Sequence, residues 1–105
     1  MVDGRRGDVI ITGGEKVWPA RIEALLSQDP SIAEVALVGR PHPDWGHTVV
    51  AVVVPTDPAG PPALEHIREI VGESFPHWCA PRELVIRKSL PKTSLGKIRR
   101  EELAH

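Results

Sequence analysis

Between residues 19 and 28 the apolar positions fall at Ile22, Leu25 and Leu26, the i, i+3, i+4 spacing of one helix face, with Arg21, Glu23 and Gln28 turned elsewhere. Pro19 suits the first turn of that helix, where a missing N–H is no loss, and Asp29-Pro30 is expected to stop it. Upstream, the β-branched run Val9-Ile10-Ile11-Thr12 sits between glycines and reads as a strand entering a tight Gly13-Gly14 turn. Lys16-Val17-Trp18 is the returning arm of the hairpin. Downstream come two apolar strands, Glu34 to Val38 and His47 to Val54, joined by a turn-rich loop from Gly39 to Gly46. The segment from Val49 to Val54 does not alternate, which predicts a strand covered on both faces. After the exposed connection Pro55 to Pro62, the stripe Leu64, Ile67, Ile70 and Val71 predicts a second helix ending at Gly72 or shortly after. Phe75 to Pro81 is a kinked segment, Leu84 to Ile86 a third strand, and residues 99–103 a last helical turn.

Helices interleaved with a small sheet predict an α+β fold: a small two-layer sandwich with an N-terminal β-hairpin, a central three-stranded sheet and flanking helices. All 105 residues are expected in one domain. Its expected core is Ile22, Leu25, Val35, Leu37, Val50, Val52, Ile67, Ile70 and Val85.

Composition narrows the function classes. A formal net charge of −1 gives no global field to gather nucleic acid or a membrane surface. The longest apolar run is too short to span a bilayer, and no signal peptide is expected. The single cysteine, Cys79, reads as a small packing residue and fits a reducing cytoplasm. His42, His47, His66, His77 and His105 have no metal-ligand spacing, and no Ser/His/Asp arrangement is apparent. The bases from Arg82 to Arg100 lack the interleaved aromatics of a nucleic-acid binder.

Chemistry concentrates near the end of the chain, in Leu90-Pro91-Lys92-Thr93-Ser94-Leu95-Gly96-Lys97-Ile98-Arg99-Arg100. Gly96 can take positive φ beside a lysine, a compact charge on a flexible stem suited to reaching an oxyanion or phosphate. Taken alone, this is a basic loop in solvent leading into a helical turn. The full pattern Pro-Lys-Thr-x-x-Gly-Lys-Ile-x-Arg resembles the closing motif of the acyl- and aryl-CoA synthetases, members of the adenylate-forming superfamily. The resemblance implies that Lys97 drives adenylation. The loop from Lys92 to Lys97 is expected to be exposed and mobile in this domain alone.

A second stretch carries the same resemblance. Gly4 through Glu23 is similar to the linker and C-domain opening of those enzymes, with Arg5, Asp8, Ile10, Gly13, Gly14, Glu15, Val17, Pro19, Ile22 and Glu23 in the motif's places. Residues 4–8 then form the hinge segment, and the hinge residue itself, usually Asp or Lys in the family, is here Gly7. The resemblance assigns Arg5 to the nucleotide; read alone, Arg5 is a surface base near Asp8. It assigns Gly13-Gly14 to close approach of the pantetheine arm, where residue chemistry by itself gives a hairpin turn. Trp45, in Asp44-Trp45-Gly46, is expected to pack at the domain edge. Trp78 matches an aromatic near the CoA adenine. Cys79 stands where the family carries a lysine, with Arg82, Arg87 and Lys88 as cations that could replace its charge.

The resemblance thus implies the C-terminal domain of an acid–CoA ligase with ATP and CoA as substrates and Mg2+ as accompanying ion, none held by this domain alone. Its partner is an N-terminal AMP-binding domain, in cis or in trans. Without that domain the chain is expected to be inactive. The alternative is a non-catalytic, stand-alone binding module of the same fold.

Overall fold

The computed structural model describes residues 9–96 and 98–103. Arg5, Gly7, the rest of the 4–8 hinge segment and Lys97 lie outside the described residues. Among the described residues the chain runs β1 (Ile10–Thr12), β2 (Glu15–Val17), α1 (Pro19–Leu26), β3 (Ile32–His42), β4 (Gly46–Pro55), α2 (Leu64–Ser74), a 3-10 turn (His77–Cys79), β5 (Glu83–Ile86) and α3 (Arg100–Leu103).

The expected hairpin and three-stranded sheet are both present, and they join. β3 and β4 form a long antiparallel ladder from Ile32↔Pro55 to His42↔Gly46. The other edge of β4 is shared: Thr12 of β1 pairs with Gly46, and β5 runs parallel to Val50–Val53. The helical layer and the sheet make the expected α+β sandwich.

The missing alternation from Val49 to Val54 has the expected cause. Val49, Ala51 and Val53 point into a core with Ile22 and Leu26 of α1 and Ile67 and Val71 of α2. Val50 and Val52 point the other way, into a smaller cluster closed by Leu90 and Leu103. The segment after β5 therefore acts as a thin cover on the second face of the sheet.

Several boundaries and core positions differ from expectation. The Gly39–Gly46 loop shrinks to the turn at residues 43–45, because β3 continues through His42. Pro41 is tolerated there because β3 pairs only with β4, and an edge strand has ladder positions where a missing N–H costs nothing. Gly39 belongs to the strand at a close approach, where an added Cβ would come within 3.1 Å of Ile10 Cγ2. Helix α1 ends at Leu26, before Asp29-Pro30, as Ser27, Gln28 and Asp29 turn their N–H groups back to Glu23, Leu25 and Leu26. Its buried stripe is Pro19, Ile22 and Leu26, which leaves Leu25 on the flank, half-buried. Ile70 flanks α2 in the same way, and Val85 is half-buried on the edge strand β5.

Two polar contacts fasten the helices. Glu23 Oε2 accepts the Leu37 N–H at 2.8 Å, so α1 covers part of the open edge of β3. Asp29 accepts from the backbone N–H of Ser31 at 3.1 Å and from its hydroxyl, and its Oδ1 lies 3.0 Å from His66 Nε2 on α2. The Ser31 hydroxyl, first, and then His66 hold the Asp29 carboxyl below its ordinary value of 3.8. A depressed carboxylate stabilises the fold above its unfolded pKa, and that contribution is lost as pH falls through the folded value. Asp29→Asn should therefore lower the melting temperature at neutral pH, with the gap to the parent chain closing as pH drops below 3.8. A gap independent of pH would show that the carboxylate charge contributes nothing.

Candidate functional site

The β1–β2 turn needs its two glycines. Gly13 and Gly14 have φ of 58° and 85°, in the left-handed region that side-chain-bearing residues rarely adopt. The turn is tied to the sheet by the Gly13 N–H, which donates to the Trp45 carbonyl at 3.0 Å. Trp45 occupies the tight β3–β4 turn, with the His42 ring 5.5 Å away. The guanidinium of Arg82 lies over the indole at 3.5 Å, a cation–π contact that fixes both groups.

Arg82 is aimed by its backbone, which enters β5 with its N–H on the Val49 carbonyl at 2.8 Å. One residue earlier, the Pro81 carbonyl accepts from Arg68 Nη1 of α2 at 2.7 Å. Before it, the 3-10 turn presents Trp78 half-buried against the helix-side core, edge-on to His77 at 5.4 Å. Thr12, Gly13, Glu15, Trp45, His77, Trp78 and Arg82 together line an open cleft of about 340 Å3. The geometry brings Gly13 and Trp78 to one site; Gly14 completes the turn beside it without lining it.

Cys79 is different. Its side chain is buried in the helix-side core, and burial pushes the thiol pKa up, as expected of a packing residue. The Cys79 side chain does not line the cleft. Of the three cations considered as replacements, Arg82 lines it, whereas Arg87 turns its Nε to the Ser89 carbonyl at 3.1 Å. Trp45, expected only to pack, is also a cleft wall. Thr12 and His77 were not singled out as site residues by sequence, and Glu15 only as a motif position; what gathers them is the meeting of hairpin and 3-10 turn.

The lysine segment lies on the other side of the sheet. Leu90 is buried and Ile98 half-buried against Val50 and Val52. Lys92 and Ile98 form an antiparallel bridge, Arg99 N–H donates to the Pro91 carbonyl at 2.8 Å, and Lys92 Nζ reaches Glu34 Oε1 of β3 at 2.7 Å. Within the loop, Gly96 takes the expected positive φ of 86°, its N–H donating to the Thr93 carbonyl at 2.9 Å. The Leu95 N–H donates to Thr93 Oγ1 at 3.2 Å. Lys92, Ser94, Leu95 and Gly96 are exposed, as expected. The loop is better braced than its small, polar composition suggests.

No group of three or more His, Cys, Asp or Glu side chains among the described residues gathers to hold a metal ion. No helix among them is long and apolar enough to cross a membrane.

The described residues form a small α+β domain with an aromatic cleft that holds Arg82, and a separate glycine-turned loop packed on the other face of the sheet. The chain belongs to the AMP-binding enzyme C-terminal domain family, whose model matches residues 21–97. It is 44% identical over 102 residues to an indoleacetate–CoA ligase of Aromatoleum aromaticum, covering 97% of this chain and 20% of that protein. Among solved structures it resembles an amide bond synthetase from Marinactinospora thermotolerans, with a TM-score of 0.85 and 33% identity over 92% of this chain and 19% of the other. It also resembles the o-succinylbenzoate CoA synthetase of Bacillus subtilis in complex with its acyl-adenylate intermediate, with a TM-score of 0.86 and 27% identity over 95% of this chain and 20% of the other. The chain thus spans about a fifth of the length of these proteins.

Proposed function

We propose that this chain is the rotating C-terminal domain of an AMP-forming acid–CoA ligase and works with an N-terminal AMP-binding domain. In the first half-reaction a carboxylate attacks the α-phosphorus of ATP and pyrophosphate leaves. In the second the CoA sulfur attacks the acyl carbon and AMP leaves. The observation that carries this reading is the opposition of two sites across one sheet. The residues flanking Lys97 pack on one face, while Trp78 packs on the other. On this reading a single fixed active centre meets one of them at a time, and the domain turns between half-reactions.

Lys97 stabilises the charge that develops between carboxylate and α-phosphate. Gly7 is the hinge, where a glycine absorbs a large backbone rotation. Arg5 contacts the nucleotide. In the second pose Trp45 and Trp78 offer faces to the adenine, Arg82 supplies positive charge to a CoA phosphate, and the Gly13-Gly14 turn lets backbone approach the pantetheine arm. Mg2+ would accompany ATP and offset the charge of its phosphates. A cytoplasmic setting agrees with the single buried thiol.

The likeness to an amide bond synthetase raises an amine as the alternative acceptor. Two tryptophans and an arginine around one cleft favour an acceptor bearing an adenine and phosphates, which is CoA. The test is a chimera in which this chain replaces the C-terminal domain of the Aromatoleum ligase. CoA-dependent thioester formation should be retained, and Trp78→Ala or Arg82→Ala should each raise the KM for CoA about tenfold, the worth of one charge-assisted or stacking contact. ATP–pyrophosphate exchange should be unchanged in both variants. An unaltered KM for CoA would remove the cleft from the reaction. A chimera that binds the large domain yet supports neither half-reaction would favour the non-catalytic binding module.

A further inference from the structure

Leu95 is 84% exposed, about twice the exposure of Trp18, Ile86 or Ile11, the other large apolar side chains in solvent among the described residues. A lone surface leucine is ordinary and by itself means nothing. Its position is what matters. It stands at the tip of the Thr93–Gly96 turn, held by the Gly96 N–H on the Thr93 carbonyl and the Leu95 N–H on Thr93 Oγ1. The base of that turn is pinned by the Lys92↔Ile98 bridge and the Lys92–Glu34 ion pair. An apolar side chain on so braced a support loses little further freedom when it is buried, the property that makes a good anchor.

Leu95 precedes Lys97 by two residues, so their Cα atoms are within about 7 Å of one another by chain length alone. If Lys97 enters the adenylating centre, Leu95 must meet the surrounding surface of the large domain in the same motion. We infer that Leu95 is the apolar anchor by which this loop docks on the large domain in the adenylating pose. The inference rests on the two-pose reading above and names the contact that selects one pose. Burying Leu95 in that pose alone shifts the equilibrium between poses toward it, because a contact favours a state only through its differential free energy. Leu95 is then a positioning residue: it holds Lys97 in place and touches no reacting atom.

The experiment uses the chimera with the Aromatoleum large domain and three variants. Leu95→Ser should lower ATP–pyrophosphate exchange about tenfold, the loss expected for most of a buried leucine side chain. Thioester formation from pre-made acyl-adenylate should stay within about twofold of the parent, since the anchor is disengaged in that pose. Leu95→Met, similar in volume and equally apolar, should restore exchange, which a purely local folding defect would not predict. Lys97→Ala reports on the underlying reading. Exchange abolished by Lys97→Ala but untouched by Leu95→Ser overturns the anchor and leaves the two-pose reading standing. Equal losses in both half-reactions for Leu95→Ser also overturn it. Exchange spared by Lys97→Ala overturns the reading and the anchor together.

Discussion

Lys97→Ala should reduce ATP–pyrophosphate exchange by about a hundredfold or more while leaving thioester formation from pre-made acyl-adenylate nearly intact. The size of the effect follows from where charge develops. In the proposed first half-reaction negative charge builds between carboxylate and α-phosphate, and a positioned cation in a water-poor site is worth a few kcal/mol of barrier. That amount corresponds to a hundredfold or more in rate. The selectivity follows from the fold. Leu90 and Ile98, which bracket the lysine loop, belong with Val50 and Val52 to one cluster, whereas Trp78 packs against the cluster on the opposite face, which holds Val49 and Ala51. In the proposed second pose the cleft beside Trp78 faces the active centre and the loop faces away, so its charge should no longer matter. Both half-reactions are measured on the same chimera. Equal losses would make Lys97 a structural residue and end the two-pose reading for this chain.

The second large effect is on stability. Leu37→Ala should destabilise the fold by about 2–5 kcal/mol, read as a lower urea midpoint at unchanged m. Leu37 is fully buried in the helix-side core. Its ladder partner on β4 is Ala51, so a small side chain faces it and cannot move in to fill the space. The backbone at this position is also held, since the Leu37 N–H is bonded to Glu23 of α1. A site clamped from both the sheet and the helix collapses poorly around a cavity, which places the cost in the middle or upper part of the range. A loss below about 1 kcal/mol would mean that the helix layer rearranges freely over the sheet.

These two residues show how differently the chain reveals itself. The motif around Lys97 was legible because its members are consecutive: a proline, a small-residue turn, Gly96 and the following bases form one contiguous pattern. Leu37 was legible as core from its apolar run, and the two-sided burial of Val49 to Val53 from the absence of alternation. The Gly13-Gly14 turn was legible for the same reason, since two adjacent glycines between short strands satisfy a positive-φ turn locally. In each case the physics acts within a few residues.

What sequence left open depends on residues far apart in the chain. Gly39 and Pro41 look like loop residues, yet β4 pairs with them and the strand runs on to His42. Only the arrangement of the sheet makes β3 an edge, where a proline is tolerated. Trp78 and Cys79 are neighbours, but one lines the cleft and the other enters the core. Arg82, Arg87 and Lys88 were equivalent as nearby cations until the Arg82 N–H met the Val49 carbonyl and its guanidinium settled over Trp45. By itself, then, the sequence determined the elements, the two-sided central strand and the family motifs. The tertiary structure alone decided which aromatic and basic side chains share a cleft and that this cleft and the lysine loop lie across the sheet from one another, because direction and pairing are set by contacts between segments rather than within them.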